Sequence, residues 1–368
     1  MANLDDLLEK TSRTFALSIP LLPEPTRREV SIAYLLFRIA DTFEDAELWS
    51  PAERRKALSD FAALLDMSSE AGGGVRGADA SAKAGLRAPR ESELRPRSER
   101  DLPSGRSGRT PTPASEAEGA GAFTSPAHGR SSEAEALAAA WTARPPCAHE
   151  GYLELLRETP SVLRDFESLA APARVLIGEH VRRSAGGMAG FVSRMTAQGN
   201  LVLDDVADLR GYCYAVAGIV GEMLTELFLL GGGLSGIEAF LRKRAPLFGE
   251  GLQLVNILKD SYSDLEQGRR YLPPGVDRAE VFALARNDLA RAGEYVLELQ
   301  KAGAPRGLVG FTALPVELAW ASLDRIEKAG AGAKVSRPEV FLIARRLERA
   351  LDRNEPAIFS ISCGGGAS

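Results

Sequence analysis

Arg28-Glu29-Val30-Ser31-Ile32-Ala33-Tyr34-Leu35-Leu36-Phe37-Arg38-Ile39-Ala40-Asp41-Thr42-Phe43-Glu44-Asp45 decides the class of fold. Its apolar residues Val30, Ala33, Tyr34, Phe37 and Ala40 recur with a period of about 3.6, as on a helix that buries one face. The helix ends in acids: Asp41 and Asp45 are four residues apart and share a face. Asn256, Asp260 and Asp264 repeat that spacing twice in a second, distant stretch. Rows of carboxylates repel one another unless cations fill them. Hard divalent cations, Mg²⁺ above all, take a few carboxylates together with substrate phosphate oxygens, so the two rows point to diphosphate chemistry. The ordinary reading of an acidic pair at this spacing is a solvated helix face, and Arg38 by default simply pairs with Asp41 or Asp45. Acids at a helix C-terminus oppose its dipole, however, which leaves a purely structural reason harder to find.

Working outward, the pattern stays helical and strand alternation is absent. A break at Leu21-Leu22-Pro23-Glu24-Pro25 precedes the opening stretch, and Ser50 with Pro51 starts the next helix. Helices are expected over Ser161–Ala197, Asp204–Leu230, Ser235–Ser263, Arg278–Ala302, Val309–Ala329 and Arg337–Asp352. Residues 68–146 differ from the rest. They are rich in Gly, Ala, Ser, Pro and Arg, and poor in large apolar side chains, too poor to offset their ordering entropy. They read as a disordered insertion. Within it, Lys83 to Arg109 holds eight basic and four acidic residues, which read as a solvated linker rather than as a docking segment for anionic lipid or RNA. The expected organisation is one all-α domain over 1–67 and 147–355, with a flexible tail over 356–368.

Composition excludes several classes. A net charge of −5 gives no electrostatic case for nucleic acid. Cys147, Cys213 and Cys363 share no metal-ligand spacing and read as reduced thiols. With three histidines, His128, His149 and His180, histidine acid–base chemistry is not expected, and His180 reads as structural. No secretory signal is apparent, and no stretch approaches the roughly 18 apolar residues of a spanning helix. Gly231-Gly232-Gly233-Leu234-Ser235-Gly236 satisfies the dinucleotide fingerprint literally. It follows a helix rather than a strand, so it reads as a helix cap and turn.

The two acidic stretches resemble the paired aspartate-rich motifs of the squalene/phytoene synthase family, whose members join two allylic diphosphates head to head inside an all-α bundle. Four further segments extend the resemblance in order. They are Lys10-Thr11-Ser12-Arg13-Thr14-Phe15, Gly187-Met188-Ala189-Gly190-Phe191, the run from Tyr212-Cys213-Tyr214 to Val220-Gly221, and Gly268-Arg269-Arg270-Tyr271-Leu272-Pro273. The resemblance implies an isoprenoid-synthase-type bundle around a central cavity. It implies a metal set of Asp41, Glu44, Asp45, Asn256, Asp260 and Asp264, holding Mg²⁺ (or Mn²⁺), with Glu44 orienting the others from one residue off their face. Ser12, Arg13, Phe15, Arg38, Tyr212, Gln253, Lys259 and Arg269 would bind substrate, by charge and hydrogen bonds at the diphosphates. Arg38, Lys259 and Tyr212 are the catalytic candidates, Tyr212 for proton handling. Phe15, Phe37, Phe191 and Tyr212 would line a dry cavity.

Within the family, Asp41-Thr42-Phe43-Glu44-Asp45, Lys10 to Phe15 and Leu224-Thr225-Glu226-Leu227-Phe228 are closer to squalene-type members. Those couple two farnesyl diphosphates through presqualene diphosphate and reduce the product with NADPH. Arg270-Tyr271-Leu272-Pro273 is closer to the phytoene type, which couples two allylic diphosphates without reduction and also includes dehydrosqualene synthases. Lys259 stands where many members carry Arg and lacks its bidentate fork. A non-catalytic scaffold that binds prenyl diphosphates is the alternative of another class. Prenyl diphosphates are the expected partners, with a monomer or weak dimer and a cytoplasmic location. Peripheral membrane contact for product release is left open.

Overall fold

The computed structural model of the chain describes residues 4–12, 15–66 and 126–360, with side chains from residue 130 onward in the last stretch. Helix α1 (Leu4–Thr11) and short α2 (Phe15–Ser18), continued by a 3₁₀ turn at Ile19–Leu21, lead into α3 (Thr26–Glu44). Then come α4 (Pro51–Leu64), α5 (Pro126–Ala143), α6 (Glu150–Arg157), α7 (Thr159–Glu167) and α8 (Ala171–Val192). Helix α9 (Val206–Cys213) runs through a π turn (Tyr214–Gly218) into α10 (Ile219–Leu230). The long α11 (Glu238–Glu266), α12 (Arg278–Lys301), α13 (Arg306–Ala329) and α14 (Arg337–Asp352) complete the bundle.

The opening stretch folds as the periodicity requires, and more fully than an amphipathic helix. Besides Val30, Ala33, Phe37 and Ala40, the intervening Ile32, Leu35, Leu36 and Ile39 are all buried. Helix α3 is enclosed by α1, α4, α6, α7 and α8, and α11 by α10, α12 and α13. The two acid-bearing helices are thus core helices. Ser50 closes a reciprocal capping box with Glu53 at the start of α4, with Pro51 in its first turn. Close approach of α11 to α10 and to the π turn before it rests on two glycines. A Cβ on Gly221 would stand 2.0 Å from the Ala245 carbonyl oxygen, and one on Gly249 2.0 Å from that of Ala217.

Four expectations are corrected. The segment placed in the insertion at its C-terminal end is ordered: α5 covers Pro126–Ala143, with Ala134, Ala138 and Trp141 buried. The Trp141 ring meets Phe43 at 4.6 Å between centroids, so one aromatic anchors an alanine-rich helix whose composition looks unstructured. The remainder of the expected insertion, up to residue 125, lies outside the described residues. The expected Ser161–Ala197 helix is two, parted at 168–170 before Pro172, which sits in the first turn of α8. The tail is docked as far as residue 360: Gln300 clasps Glu355 and Ala357, and the buried Glu317 accepts from the Phe359 and Ser360 amides. Beyond 360 it lies outside the described residues.

The fourth concerns Val206–Leu230, which is long and apolar enough to cross a membrane by length and composition. Its charges are engaged within the bundle: Asp208 with Arg194, Arg210 with Glu250, Glu222 with Arg183 and Glu226 with Arg242. Among the described residues the only strands are a two-residue parallel ladder, β1 (Leu201–Val202) beside β2 (Arg269–Arg270), too short to leave an alternating pattern. The Gly231–Gly236 run caps α10 and turns, with Gly232, Gly233 and Gly236 at positive φ. His180 is buried, with Nδ1 2.8 Å from the Leu176 carbonyl oxygen, the structural role expected.

Candidate active site

Asp41 lies in the last turn of α3 and Asp45 is its C-cap. The like-signed end of the helix dipole makes this a costly place for acids. A buried cation offsets it from behind: Arg54 of α4 donates from Nη1 to the Glu44 carbonyl oxygen (3.2 Å) and from Nε to that of Trp49 (3.1 Å). Opposite, α11 turns Gln253, Asn256, Lys259, Asp260 and Asp264 towards the same space. The ladder places Arg269 next to the end of α11.

The space has two parts. The polar part has a volume of about 650 Å³ and is walled by Ser12, Asp45, Tyr212, Lys259, Asp260, Asp264 and Arg269. The apolar part, about 210 Å³, lies between α3, the π turn with α10, and α13, with Phe37, Val216, Leu224, Phe228 and Phe311 in its wall. Phe15, Arg38, Gln253 and Asn256 line both. They form the boundary between a charged region and a greasy one. Asp41 faces the apolar part.

Each acid row meets cations. Arg38 pairs with Asp41 at 3.3 Å, as its default reading anticipated. Lys259 pairs with Asp260 at 3.3 Å and donates to Asn256 Oδ1 at 3.0 Å. Arg269 pairs with Asp45 and also donates to Gln267. These pairs leave the rows short of full compensation. Burial pushes Asp41 up to about 6 against the pull of Arg38, with Asp45 adding repulsion. Burial likewise raises Asp264 to about 6 against Arg269, with Asp260 adding to the rise. Glu44 is raised well above the carboxylate range by burial, then by Asp45 and Asp41. Its buried Oε1 has no hydrogen-bond partner among the described residues.

Those observations test the fit of a divalent cation. Among the described residues no three His, Cys, Asp or Glu side chains close on one point. An all-protein cage is therefore not what this site offers. Raised, under-compensated carboxylates on facing walls suit instead a cation that takes one or two protein oxygens and completes its shell with substrate.

Beside the polar part, Tyr212 and Tyr271 stack at 4.6 Å between centroids, and the Tyr212 hydroxyl donates to that of Tyr271 at 3.1 Å. Both are buried, and burial followed by the charge of Glu44 raises both phenols well above their ordinary value. Phe191 meets Tyr212 edge-on at 5.2 Å. It therefore backs the tyrosine and, unlike Phe15 and Phe37, forms no part of the cavity wall.

The structure brings together Ser12, Phe15, Arg38, Asp41, Asp45, Tyr212, Gln253, Asn256, Lys259, Asp260, Asp264 and Arg269. Glu44 stands behind that wall, and Arg13 lies outside the described residues. Sequence reasoning gave no role to Tyr34 and Tyr152, whose rings lie 5.5 and 5.8 Å from the Arg38 guanidinium carbon. It also missed Tyr271 and Arg54. Tyr271 stands in a quoted motif and was within reach; Arg54 left no signal.

A family model described as squalene/phytoene synthase matches residues 8–109 and 126–276, well over half of the chain. The squalene synthase of Gibberella zeae is 31% identical over 120 residues, 33% of this chain and 26% of that protein. The phytoene synthase of Thermus thermophilus is 35% identical over 162 residues, 43% of this chain and 48% of that protein. The squalene synthase of Schizosaccharomyces pombe is 24% identical over 268 residues, 73% of this chain and 43% of that protein. The chain therefore spans less than half the length of each of these relatives. Solved complexes of TcSQS with the ligands BPH1237 and E5700 share its fold, with TM-scores of 0.58 and 0.59 at 20% and 21% identity. Those matches cover 99% and 95% of this chain and 92% and 88% of the solved ones.

Proposed function

The chain belongs to the squalene/phytoene synthase family, and from that premise we propose that it is a metal-dependent prenyltransferase joining two farnesyl diphosphates head to head, through presqualene diphosphate to squalene. The observation that carries the reading is the two-part cavity, whose charged region passes into an apolar one at Arg38, Gln253 and Asn256. A prenyl diphosphate has the same division between a charged head and a greasy tail.

Asp41 and Asp45 of α3, and Asn256, Asp260 and Asp264 of α11, would hold magnesium or manganese, with Glu44 orienting them. A metal bound there would supply the positive charge that lets diphosphate leave from the allylic carbon. Arg38, Lys259 and Arg269, with Ser12 and Arg13, would take the diphosphate oxygens. Arg269 gives a planar fork, and Lys259 a single mobile charge. Phe15 and Phe37 would hold the prenyl chain and exclude water, their rings able to face a developing cation. Tyr212, whose hydroxyl donates to that of Tyr271, would keep or pass a proton at its hydroxyl oxygen. NADPH belongs to the reading as the reductant of the squalene step.

The second reading is a phytoene or dehydrosqualene synthase, which releases its product without reduction. Arg270-Tyr271-Leu272-Pro273 favours it, as does the likeness to the Thermus thermophilus enzyme. The deciding experiment supplies farnesyl and geranylgeranyl diphosphates separately with Mg²⁺, each with and without NADPH, and identifies the hydrocarbon by mass. Squalene appearing only with NADPH is the expected result. A C40 product from geranylgeranyl diphosphate alone would transfer the chain to the second reading. Failure to release diphosphate from either substrate would leave a non-catalytic binding scaffold.

A further inference from the structure

Helix α14 packs against α13 and buries Leu347 and Ala350. On its outer side Phe341 is 63% exposed and Leu342 61%. Single exposed apolar residues need no explanation. These two are adjacent, large, and set among cations. From Lys334 to Arg353 the chain carries six basic and three acidic residues, in a protein of net charge −5. Two of the three acids are engaged elsewhere: Glu339 by Arg325 and the Ser336 cap, Asp352 by Arg306. Lys334, Arg337 and Arg349 meet no carboxylate among the described residues, and the Arg345 guanidinium lies 5.9 Å from the Phe341 ring centroid.

Contacts of this helix and of the loop before it reach elements that carry cavity residues. In the loop that leads into it, Gly332 donates its amide to the Lys259 carbonyl oxygen at 2.7 Å. Near its end, Leu351 and Leu21 both close over Gly310 of α13. Leu21 belongs to the short segment whose Phe15 and Ile19 line the apolar cavity while Leu17 and Leu21 face outward, 51% and 41% exposed.

We infer that the outer face of α14 docks on an anionic bilayer, with Phe341 and Leu342 entering the interface and Arg337, Arg345 and Arg349 meeting lipid phosphates. Aromatic and aliphatic side chains ringed by arginine match the boundary between headgroups and acyl chains, and the anionic surface supplies the complementary charge. A second copy of the chain is a poorer occupant. A two-fold contact sets the same patch against itself, and here it would set arginines against arginines.

The test is sedimentation of the full chain with vesicles of phosphatidylcholine alone and of phosphatidylcholine with phosphatidylglycerol. Binding should require the anionic lipid and weaken with added salt. Phe341→Ser with Leu342→Ser, and separately Arg337→Glu with Arg345→Glu and Arg349→Glu, should each cut partitioning by roughly tenfold or more. Both variants should keep the wild-type circular dichroism melt, because every altered side chain is exposed. Wild-type binding that is no tighter to anionic than to neutral vesicles would overturn the inference, as would either variant binding like the wild type. If the serine variant leaves partitioning unchanged and turns a dimer into a monomer in light scattering, the face belongs to a second copy.

Discussion

Asp288→Asn should make this protein more stable at alkaline pH. Asp288 lies on α12 with no exposed surface, and its Oδ2 has no hydrogen-bond partner among the described residues. Its neighbour Glu250 takes both hydrogen bonds that Arg210 offers, at 2.7 and 3.2 Å. Burial first, and then Glu250, push Asp288 from an ordinary 3.8 to about 7. A carboxyl raised in the folded state binds more protons there than in the unfolded chain. Stability is therefore fullest below the unfolded value and falls as pH rises, until the folded value is passed. The gap amounts to about 4 kcal/mol in total, with a slope of at most about 1.4 kcal/mol per pH unit. Urea unfolding of wild type and Asp288→Asn, compared at about pH 5 and about pH 8, should show the variant's relative stability growing by roughly 2.5 kcal/mol. The comparison cancels other groups that titrate in this range, Asp41 and Asp264 among them. Parallel pH profiles for the two proteins would refute the reasoning, because they would mean that Asp288 is charged in the native state at neutral pH.

Three further outcomes are expected. Gly249→Ala drives a methyl group to 2.0 Å from the Ala217 carbonyl oxygen, so it should cost about 2–4 kcal/mol and lower the melting temperature; an unchanged melt would mean that the π turn and α11 separate freely. Asp45→Ala and Asp260→Ala should each abolish turnover of farnesyl diphosphate while far-UV circular dichroism stays helical, and near-normal rates would sink the metal assignment. Magnesium and inorganic diphosphate should each bind more tightly in the presence of the other, read by calorimetry, and independent affinities would contradict the ion-pair arrangement of the site.

What was legible in the sequence was whatever a local period or a local spacing encodes. Helix α3 announced itself through Val30, Ala33, Phe37 and Ala40, and the acidic rows through their four-residue spacing. The observed α14, Arg337–Asp352, coincides with the expectation, because Ser336, Pro338 and Glu339 spell out its start. The α7–α8 break had a local sign too, Pro172, which the apolar pattern on both sides overrode. Helix α5 was lost for a different reason. Its alanines carry helix propensity but little burial, and its anchor, Trp141 on Phe43, is a contact across 98 residues of sequence. The same holds within the site. Tyr271 gains its meaning from a stack with Tyr212, 59 residues earlier. Arg54 gains its own from the end of a helix to which it does not belong.

Charge accounting adds what neither motif contains alone. The three cations proposed for the diphosphates each rest on an acid proposed for the metal: Arg38 on Asp41, Lys259 on Asp260, Arg269 on Asp45. The site as it stands is largely neutralised from within. Were Arg38, Lys259 and Arg269 to turn to phosphate oxygens alone, Asp41, Asp45, Asp260 and Asp264 would confront one another across the cavity, where burial already holds Asp41 and Asp264 raised to about 6. Were the acids to turn to a cation alone, three positive side chains would be left unmatched in a space bordered by Phe15, Phe37 and Tyr212. Only when both exchanges occur together does every charge keep a partner. Reciprocal coupling between the two binding events follows from this pairing, and it requires no movement of the helices that carry the residues.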